Sequence, residues 1–350
     1  MSRLLKYVIE LYDSQSIPHG VLIELTHICN LRCLHCYVPS YVRERTRNNL
    51  SVSSLKDVFR QLHDMGVLKV TLSGGEPLMR YDWYEIACAA KEENLYLSLF
   101  TNATCIDEVN ANKIASLMPL EVEVSVYGGS KGVYDLATGR SGAFEAFARG
   151  LRLLKERDVS VFLKVVTMRE TAKAYEETLR YAESIGFPIR VRFDPQLLLK
   201  ADGANMHRLT DEEMVNIFLA EGLQGFYPQP LSKCSIGKKG LVIGPEGSLR
   251  PCIGFPQTIG NILSGSIAET WRGSHILRSL RALRDEDFYE CIACEHNEFC
   301  TPCLVMNILE TGSIVKPSQE HCRIAANRRA AYNMLRERRE EDVSKGSKKD

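Results

Sequence analysis

The stretch Val21-Leu22-Ile23-Glu24-Leu25-Thr26 is apolar enough to read as a strand, and it runs into Cys29-Asn30-Leu31-Arg32-Cys33-Leu34-His35-Cys36-Tyr37. Three cysteines in the spacing C-x3-C-x2-C therefore sit on one loop at a strand end. Thiolates are the usual ligands of iron–sulfur clusters, and a cubic four-iron cluster has four corners to fill. Cys29, Cys33 and Cys36 would fill three and leave one iron free, as catalytic metal sites keep a position vacant where structural sites close it. A zinc site, or three unrelated thiols, is the competing reading. Zinc loops more often carry C-x2-C or C-x4-C pairs with a second pair elsewhere.

Outward from this loop the chain alternates strand and helix. Strand-like segments recur at 68–72, 95–100, 121–126, 160–167 and 189–193. Between them, Leu55, Val58, Phe59, Leu62 and Met65 form an apolar helical stripe, with Ser53 as N-cap and Gly66 as the stop. Phe144, Phe147, Leu151 and Leu154 form another, and a helix over 172–185 ends at Gly186 with Pro188 beyond. The class is α/β: a parallel sheet with helical crossovers, either doubly wound or an incomplete barrel. Residues 1–20 are a lead-in. Residues 200–230 lose the rhythm, with a helix at 210–221 opened by Thr210 and Asp211, then a Gly- and Pro-rich connector. Residues 231–325 are loop-rich and hold seven of the twelve cysteines, so metal staples are needed to fold them. A charged, helical tail ends in Ser344-Lys345-Gly346-Ser347-Lys348-Lys349-Asp350, read as a frayed terminus.

Composition narrows the class of function. With 44 basic and 44 acidic residues the formal net charge is zero, which leaves no electrostatic footprint for nucleic acid. No apolar run approaches the about 20 residues that span a bilayer, and Lys6, Glu10 and Asp13 interrupt any signal-peptide core. The expectation is a cytoplasmic protein without membrane or nucleic-acid partners. In a reducing compartment its cysteines serve metal ligation before disulfides.

The C-x3-C-x2-C loop after a first strand resembles the signature of the radical S-adenosylmethionine (SAM) enzymes. Ser73-Gly74-Gly75-Glu76-Pro77 follows the second strand as that family's GGEP motif does, and Thr101-Asn102-Ala103 follows the third, where relatives often carry Thr-Asn-Gly. The resemblance covers residues 20 to 325. It implies a partial (β/α)6 TIM barrel over residues 21–200 with its site at the C-terminal strand ends, as in full barrels, and a connector over 201–230. A small cysteine-rich iron–sulfur (SPASM) domain follows over 231–325, and then the tail, 326–350. Cys29, Cys33 and Cys36 would hold a [4Fe-4S] cluster whose open iron takes the amino and carboxylate groups of SAM. A reduced cluster passes one electron to the sulfonium, giving a 5′-deoxyadenosyl radical that abstracts hydrogen; the cofactor carries that chemistry. The loop Gly74, Gly75, Glu76 and Pro77 would bind the methionine end, its glycines letting backbone come close. Asn102 and Ser125 are candidate cosubstrate contacts. Asp194, at the end of the sixth strand, is a candidate substrate contact or an Asx turn before Pro195. Cys88 reads as packing and Cys105 as an inert thiol near the rim or a redox or catalytic residue.

The C-terminal set runs Cys234, Gly247-x4-Cys252, Cys291-x2-Cys294-x5-Cys300-x2-Cys303 and Cys322. Two C-x2-C pairs invite zinc, but seven cysteines do not fill two tetrahedral sites. The SPASM pattern differs only in its last pair, where x3 is usual and Thr301-Pro302 stand here. By that resemblance Cys291, Cys294, Cys300 and Cys322 close one cluster, while Cys234, Cys252 and Cys303 hold another, one ligand short. The shortened Cys300–Cys303 spacing leaves this pairing open. Three [4Fe-4S] clusters and SAM are thus the expected cofactors.

The function implied is hydrogen abstraction from a residue of a ribosomally made precursor peptide, with thioether or carbon–carbon cross-links among the outcomes. Cofactor or tetrapyrrole biosynthesis is the alternative among enzymes, and a non-catalytic iron–sulfur or zinc protein the alternative outside them. A cosubstrate loop counts against the last. Twenty residues before Val21 are too few for the leader-binding domain of several peptide-modifying relatives, so a separate leader-binding protein or direct contact is expected. A reductase or flavodoxin is the expected electron donor.

Overall fold

The computed structural model describes residue 12 and residues 17–38, 49–191, 207–222 and 234–346. In chain order these form β1 (Gly20–Glu24), α1 (Val52–Asp64), β2 (Lys69–Ser73), α2 (Trp83–Glu92), β3 (Tyr96–Thr101), α3 (Glu108–Leu117), β4 (Glu121–Val126), α4 (Lys131–Thr138), α5 (Ala143–Lys155), β5 (Val161–Val165), α6 (Tyr175–Ser184) and β6 (Ile189–Val191). The C-terminal part adds α7 (Asp211–Glu221), β7 (Gly240–Ile243), β8 (Ser248–Arg250), β9 (Gly260–Asn261), α8 (Ile267–Gly273), α9 (His275–Ala282), α10 (Leu304–Thr311) and α11 (Gln319–Gly346).

Strand order decides between the two architectures left open by the alternating pattern. The sheet runs β6-β5-β4-β3-β2-β1-β7-β8-β9, with β1 to β6 all parallel and in sequence order. A doubly wound sheet reverses at its first strand. Here the order never turns back, so successive right-handed crossovers lay their helices on one face. Accordingly α1 packs on α2, α2 on α3 and α3 on α5. This is the winding of an open barrel. The stripe residues Leu55, Val58, Phe59 and Leu62 of α1 and Phe147, Leu151 and Leu154 of α5 are all buried.

Three local expectations shift. The N-cap of α1 is Ser51 and not Ser53: the Ser51 hydroxyl accepts from the Ser54 amide at 3.1 Å, which puts Ser53 inside the first turn. The second difference is at the far edge of β1. Gly20–Ile23 pair in parallel with Gly240–Ile243 of β7, so the cysteine-rich part continues the barrel's own sheet. From there β8 and β9 turn back antiparallel. Third, α11 is a single helix that spans the boundary expected at 325 and reaches Gly346. It packs against α7, with the Arg323 guanidinium and the Asn327 amide both donating to Asp211 at 2.8 and 2.7 Å. Helix α7 begins as expected, capped by Thr210 in a reciprocal box with Glu213. Among the described residues no helix is long and apolar enough to cross a membrane.

Candidate functional site

The loop after β1 is built from its neighbours' backbone. Gly75 donates to the Thr26 carbonyl at 2.7 Å and Glu76 to that of Ile28 at 2.9 Å. Gly74 sits at φ +140°, and a Cβ there would lie 2.3 Å from the Thr26 oxygen; one on Gly75 would lie 2.4 Å from the Ile28 oxygen. Only glycine permits that approach. What these glycines come close to in this structure is the cysteine loop itself. From the other side, Arg32 and Leu34 donate to the Thr138 and Ala137 carbonyls at 2.8 and 3.0 Å, which satisfies acceptors left over at the end of α4. Leu31, fully buried, anchors the loop's centre.

Glu76 ties this assembly to the loop after β3. Its carboxylate is fully buried and accepts from the Leu78 amide (3.2 Å), the Thr101 hydroxyl (2.8 Å) and the Asn102 amide (2.8 Å). Burial pushes it up to about 7 against those donors. The Asn102 side chain donates to Asn30 Oδ1 at 3.0 Å and lies 3.8 Å from Cys29 Sγ, so it is fastened to the cysteine loop. Its oxygen accepts from Thr104, and the Thr104 hydroxyl accepts from Asn30. Ser125 bonds Tyr127, whose hydroxyl also reaches Cys33. The motifs that follow β1, β2 and β3 thus form one hydrogen-bonded rim.

The thiols suit a multi-iron group. Burial, with Cys29 and Cys36 close by, pushes Cys33 well above the ordinary thiol range. A buried thiol of that kind ionises when a metal coordinates it. All twelve cysteines are free thiols, and among the described residues no three His, Cys, Asp or Glu side chains converge as ligands of a single ion do.

The seven C-terminal cysteines divide into two groups. Burial pushes Cys300 up to about 12, and its thiol neighbours are Cys291, Cys322 and Cys294. Cys303, three residues on across Thr301 and Pro302, faces Cys234 and Cys252 instead. Burial raises Cys303 too, against the amides of Met306 and Val305 at the start of α10, which donate to its sulfur. The shortened spacing therefore does not keep Cys300 and Cys303 together. One cysteine of each group, Cys234 and Cys291, lines a shared cleft with Lys238, Leu283, Phe288 and Leu304. Arg328 stands beside Cys300, donates to the Phe299 carbonyl at 2.9 Å and lies over the Phe218 ring at 5.2 Å.

Asp194, with Arg192 and Pro195, lies outside the described residues, as does the stretch before Cys234. Cys88 is half-buried packing in α2, as expected. Cys105 is half-buried near Glu76 and Cys29, and burial pushes it up to about 12.

Sequence reasoning missed one cluster. Glu24 ends β1 with its side chain wholly buried. The Tyr37 hydroxyl donates to its Oε1 at 2.7 Å, Arg250 donates to Oε2, and His27 Nε2 lies 3.8 Å from Oε2. Burial works to raise its pKa, but the nearby His27 ring, the Arg250 charge and the Tyr37 hydrogen bond together hold it below the ordinary carboxylate value. A lone acid inside an apolar strand was the available signal, since buried charges need partners.

Comparison with known proteins agrees with this geometry. Residues 23–182 match the model of the radical SAM superfamily, and residues 234–296 that of an iron–sulfur cluster-binding domain, SPASM. The mycofactocin maturase of Mycobacterium tuberculosis is 28% identical over 300 residues, covering 79% of this chain and 75% of the relative. The AdoMet-dependent heme synthase of Methanosarcina barkeri is 23% identical over 332 residues, 85% and 95% of the two chains. Among solved structures, Streptococcus suis SuiB bound to precursor peptide SuiA has a TM-score of 0.64 at 17% identity, covering 91% of this chain and 80% of that one.

Proposed function

A radical SAM domain followed by a SPASM iron–sulfur domain makes this chain a SPASM-type radical SAM enzyme, and from that premise we propose that it modifies a residue of a ribosomally made peptide. The observation that carries the proposal is the separation of ten thiols into a rim group of three and C-terminal groups of four and three. The peptide substrate draws support from the mycofactocin maturase, the more similar of the two relatives. The heme synthase, matched along nearly its whole length, favours a tetrapyrrole as the second reading.

In this proposal Cys29, Cys33 and Cys36 hold one cluster, Cys291, Cys294, Cys300 and Cys322 a second, and Cys234, Cys252 and Cys303 a third with three protein thiolates. When bound, a cluster with an open iron supplies single-electron chemistry to SAM and so a carbon-centred radical. The chain's own residues do the placing. Gly74 and Gly75 bring the GGEP backbone onto the cysteine loop; Glu76 holds Thr101 and Asn102 against it; Asn102 orients Asn30 beside Cys29. Asp194 and Ser125 are assigned to substrate and cosubstrate, and the barrel takes residues 21–200, the connector 201–230 and the SPASM unit 231–325, whose last helix, α11, runs on into the tail. The enzyme works in the cytoplasm, with a reductase or flavodoxin as donor and the precursor recognised by a separate leader-binding protein or by direct contact.

The test is to reconstitute the chain anaerobically, add SAM, a reductant and each short peptide that sequencing of the neighbouring genes reveals, and follow peptide mass and 5′-deoxyadenosine. A peptide mass loss matched by 5′-deoxyadenosine is expected. An unchanged peptide, with conversion of a tetrapyrrole substrate, would move the assignment to the second reading.

A further inference from the structure

Strand β1 is paired on one side with β2 and on the other with β7. Leu22, Val242 and Arg250 stand in one row across β1, β7 and β8. Glu24 is two residues beyond Leu22, so it shares that face of the sheet with Arg250. The Glu24 carboxylate splits its bonds between two loops. Oε1 takes the hydroxyl of Tyr37, the residue after Cys36; Oε2 takes the guanidinium of Arg250, two residues before Cys252. Arg250 uses its other amino group to hold the Ile253 carbonyl at 3.0 Å, on the far side of Cys252. The guanidinium therefore grips the Cys252 turn from both ends and is itself fixed to β1.

Stability alone does not account for this arrangement. Replacing a buried ion pair by apolar residues of similar volume is often neutral or stabilising, and the best-attested use of such pairs is to specify register. Here the elements registered are the two loops that carry cysteines of different groups. We propose that Glu24 is a positioning residue: held by Tyr37 through one oxygen and by Arg250 through the other, it locks the Cys29–Cys36 loop and the Cys252 turn together, so that a change in either loop reaches the metal site of the other. This rests on the reading that both loops hold iron–sulfur clusters.

The test uses electron-resonance spectra of the full-length, anaerobically reconstituted and reduced chain. In a parent carrying Cys29, Cys33 and Cys36 all replaced by Ala, only the C-terminal clusters contribute. Tyr37→Phe removes one hydroxyl, far in sequence from every C-terminal cysteine. It should shift the g values of the C-terminal signal while iron content stays at the parent's, in spectra recorded on protein kept well below an unfolding temperature lowered by the lost hydrogen bond to the buried carboxylate. In the intact chain, Arg250→Lys should shift the first cluster's signal in the presence of SAM, and its effect should not add to that of Tyr37→Phe, since both act through Glu24. Glu24→Gln should reproduce both shifts; if that variant fails to fold, Tyr37→Phe and Arg250→Lys carry the test. Spectra that superimpose on the parent's, or effects that add, overturn the inference and leave the cluster assignment standing. A parent with no C-terminal iron overturns both.

Discussion

Replacing Gly75 with alanine should loosen the rim at its tightest point. The new Cβ would stand 2.4 Å from the Ile28 oxygen and 2.6 Å from the His27 oxygen, about 1 Å inside ordinary contact with atoms that are all backbone. No side chain can rotate away, so the cysteine loop must move. Overpacking costs about 1–3 kcal/mol. The bonds from Gly75 to Thr26 and from Glu76 to Ile28 cross the same gap, and losing both adds about 1 kcal/mol each. A total of about 3–5 kcal/mol corresponds to a fall of roughly 6–20 °C in Tm for a domain of this size. Displacement of reacting groups by about 1 Å is enough to cost about 100-fold in rate. Anaerobic thermal unfolding and 5′-deoxyadenosine formation, assayed well below the lowered Tm, measure the two effects. Gly132→Ala is the internal control: it lies in α4 with nothing within 4 Å, and should be neutral or stabilising by about 0.5–1 kcal/mol. A Gly75→Ala protein with the unchanged Tm and cleavage rate would refute the steric account.

Other outcomes are as specific. Replacing Cys29, Cys33 and Cys36 by Ala should lower iron from about twelve to about eight per chain and stop 5′-deoxyadenosine formation; persistent cleavage would remove these residues from the assignment. Cys300→Ser should change the same electron-resonance signal as Cys322→Ser, and Cys303→Ser the same signal as Cys252→Ser; if Cys300 and Cys303 act on one signal, the division into four and three is wrong. Glu76 has a folded-state pKa raised from 4.5 to about 7, so its contribution is full below about pH 4.5 and is lost as pH rises through about 7, on the order of 3 kcal/mol. Glu76→Gln should flatten that part of the pH dependence in urea unfolding and cost about 1–3 kcal/mol for the donor left unpaired; an unaltered slope would contradict the assignment.

The rim was legible in the sequence because its parts are local. Cys29–Cys36, Gly74–Pro77 and Thr101–Asn102 each follow a strand whose apolar pattern is plain, and a parallel barrel brings strand ends together. Ser51 was harder, because Ser51, Ser53 and Ser54 all fit a cap by composition and only backbone geometry separates them. The pairing of β7 with β1 carried no local signal: Leu241-Val242-Ile243 is too short to declare a partner more than 200 residues away. Glu24 was visible as a lone acid in a strand, but its partners Tyr37 and Arg250 depend on that same long-range pairing. The division of Cys300 from Cys303 needed the start of α10, where Cys303 turns toward the amides of Val305 and Met306.

The β1–β7 pairing also limits how this chain can be cut. A fragment ended in the connector would strip β7 from β1 and leave Gly20–Glu24, with buried Val21 and Ile23, as an open edge. An uncovered apolar edge strand is a template on which other chains pair and aggregate. The barrel is therefore not a free-standing module that acquired a cluster-binding appendage; its first strand is made safe by the appendage.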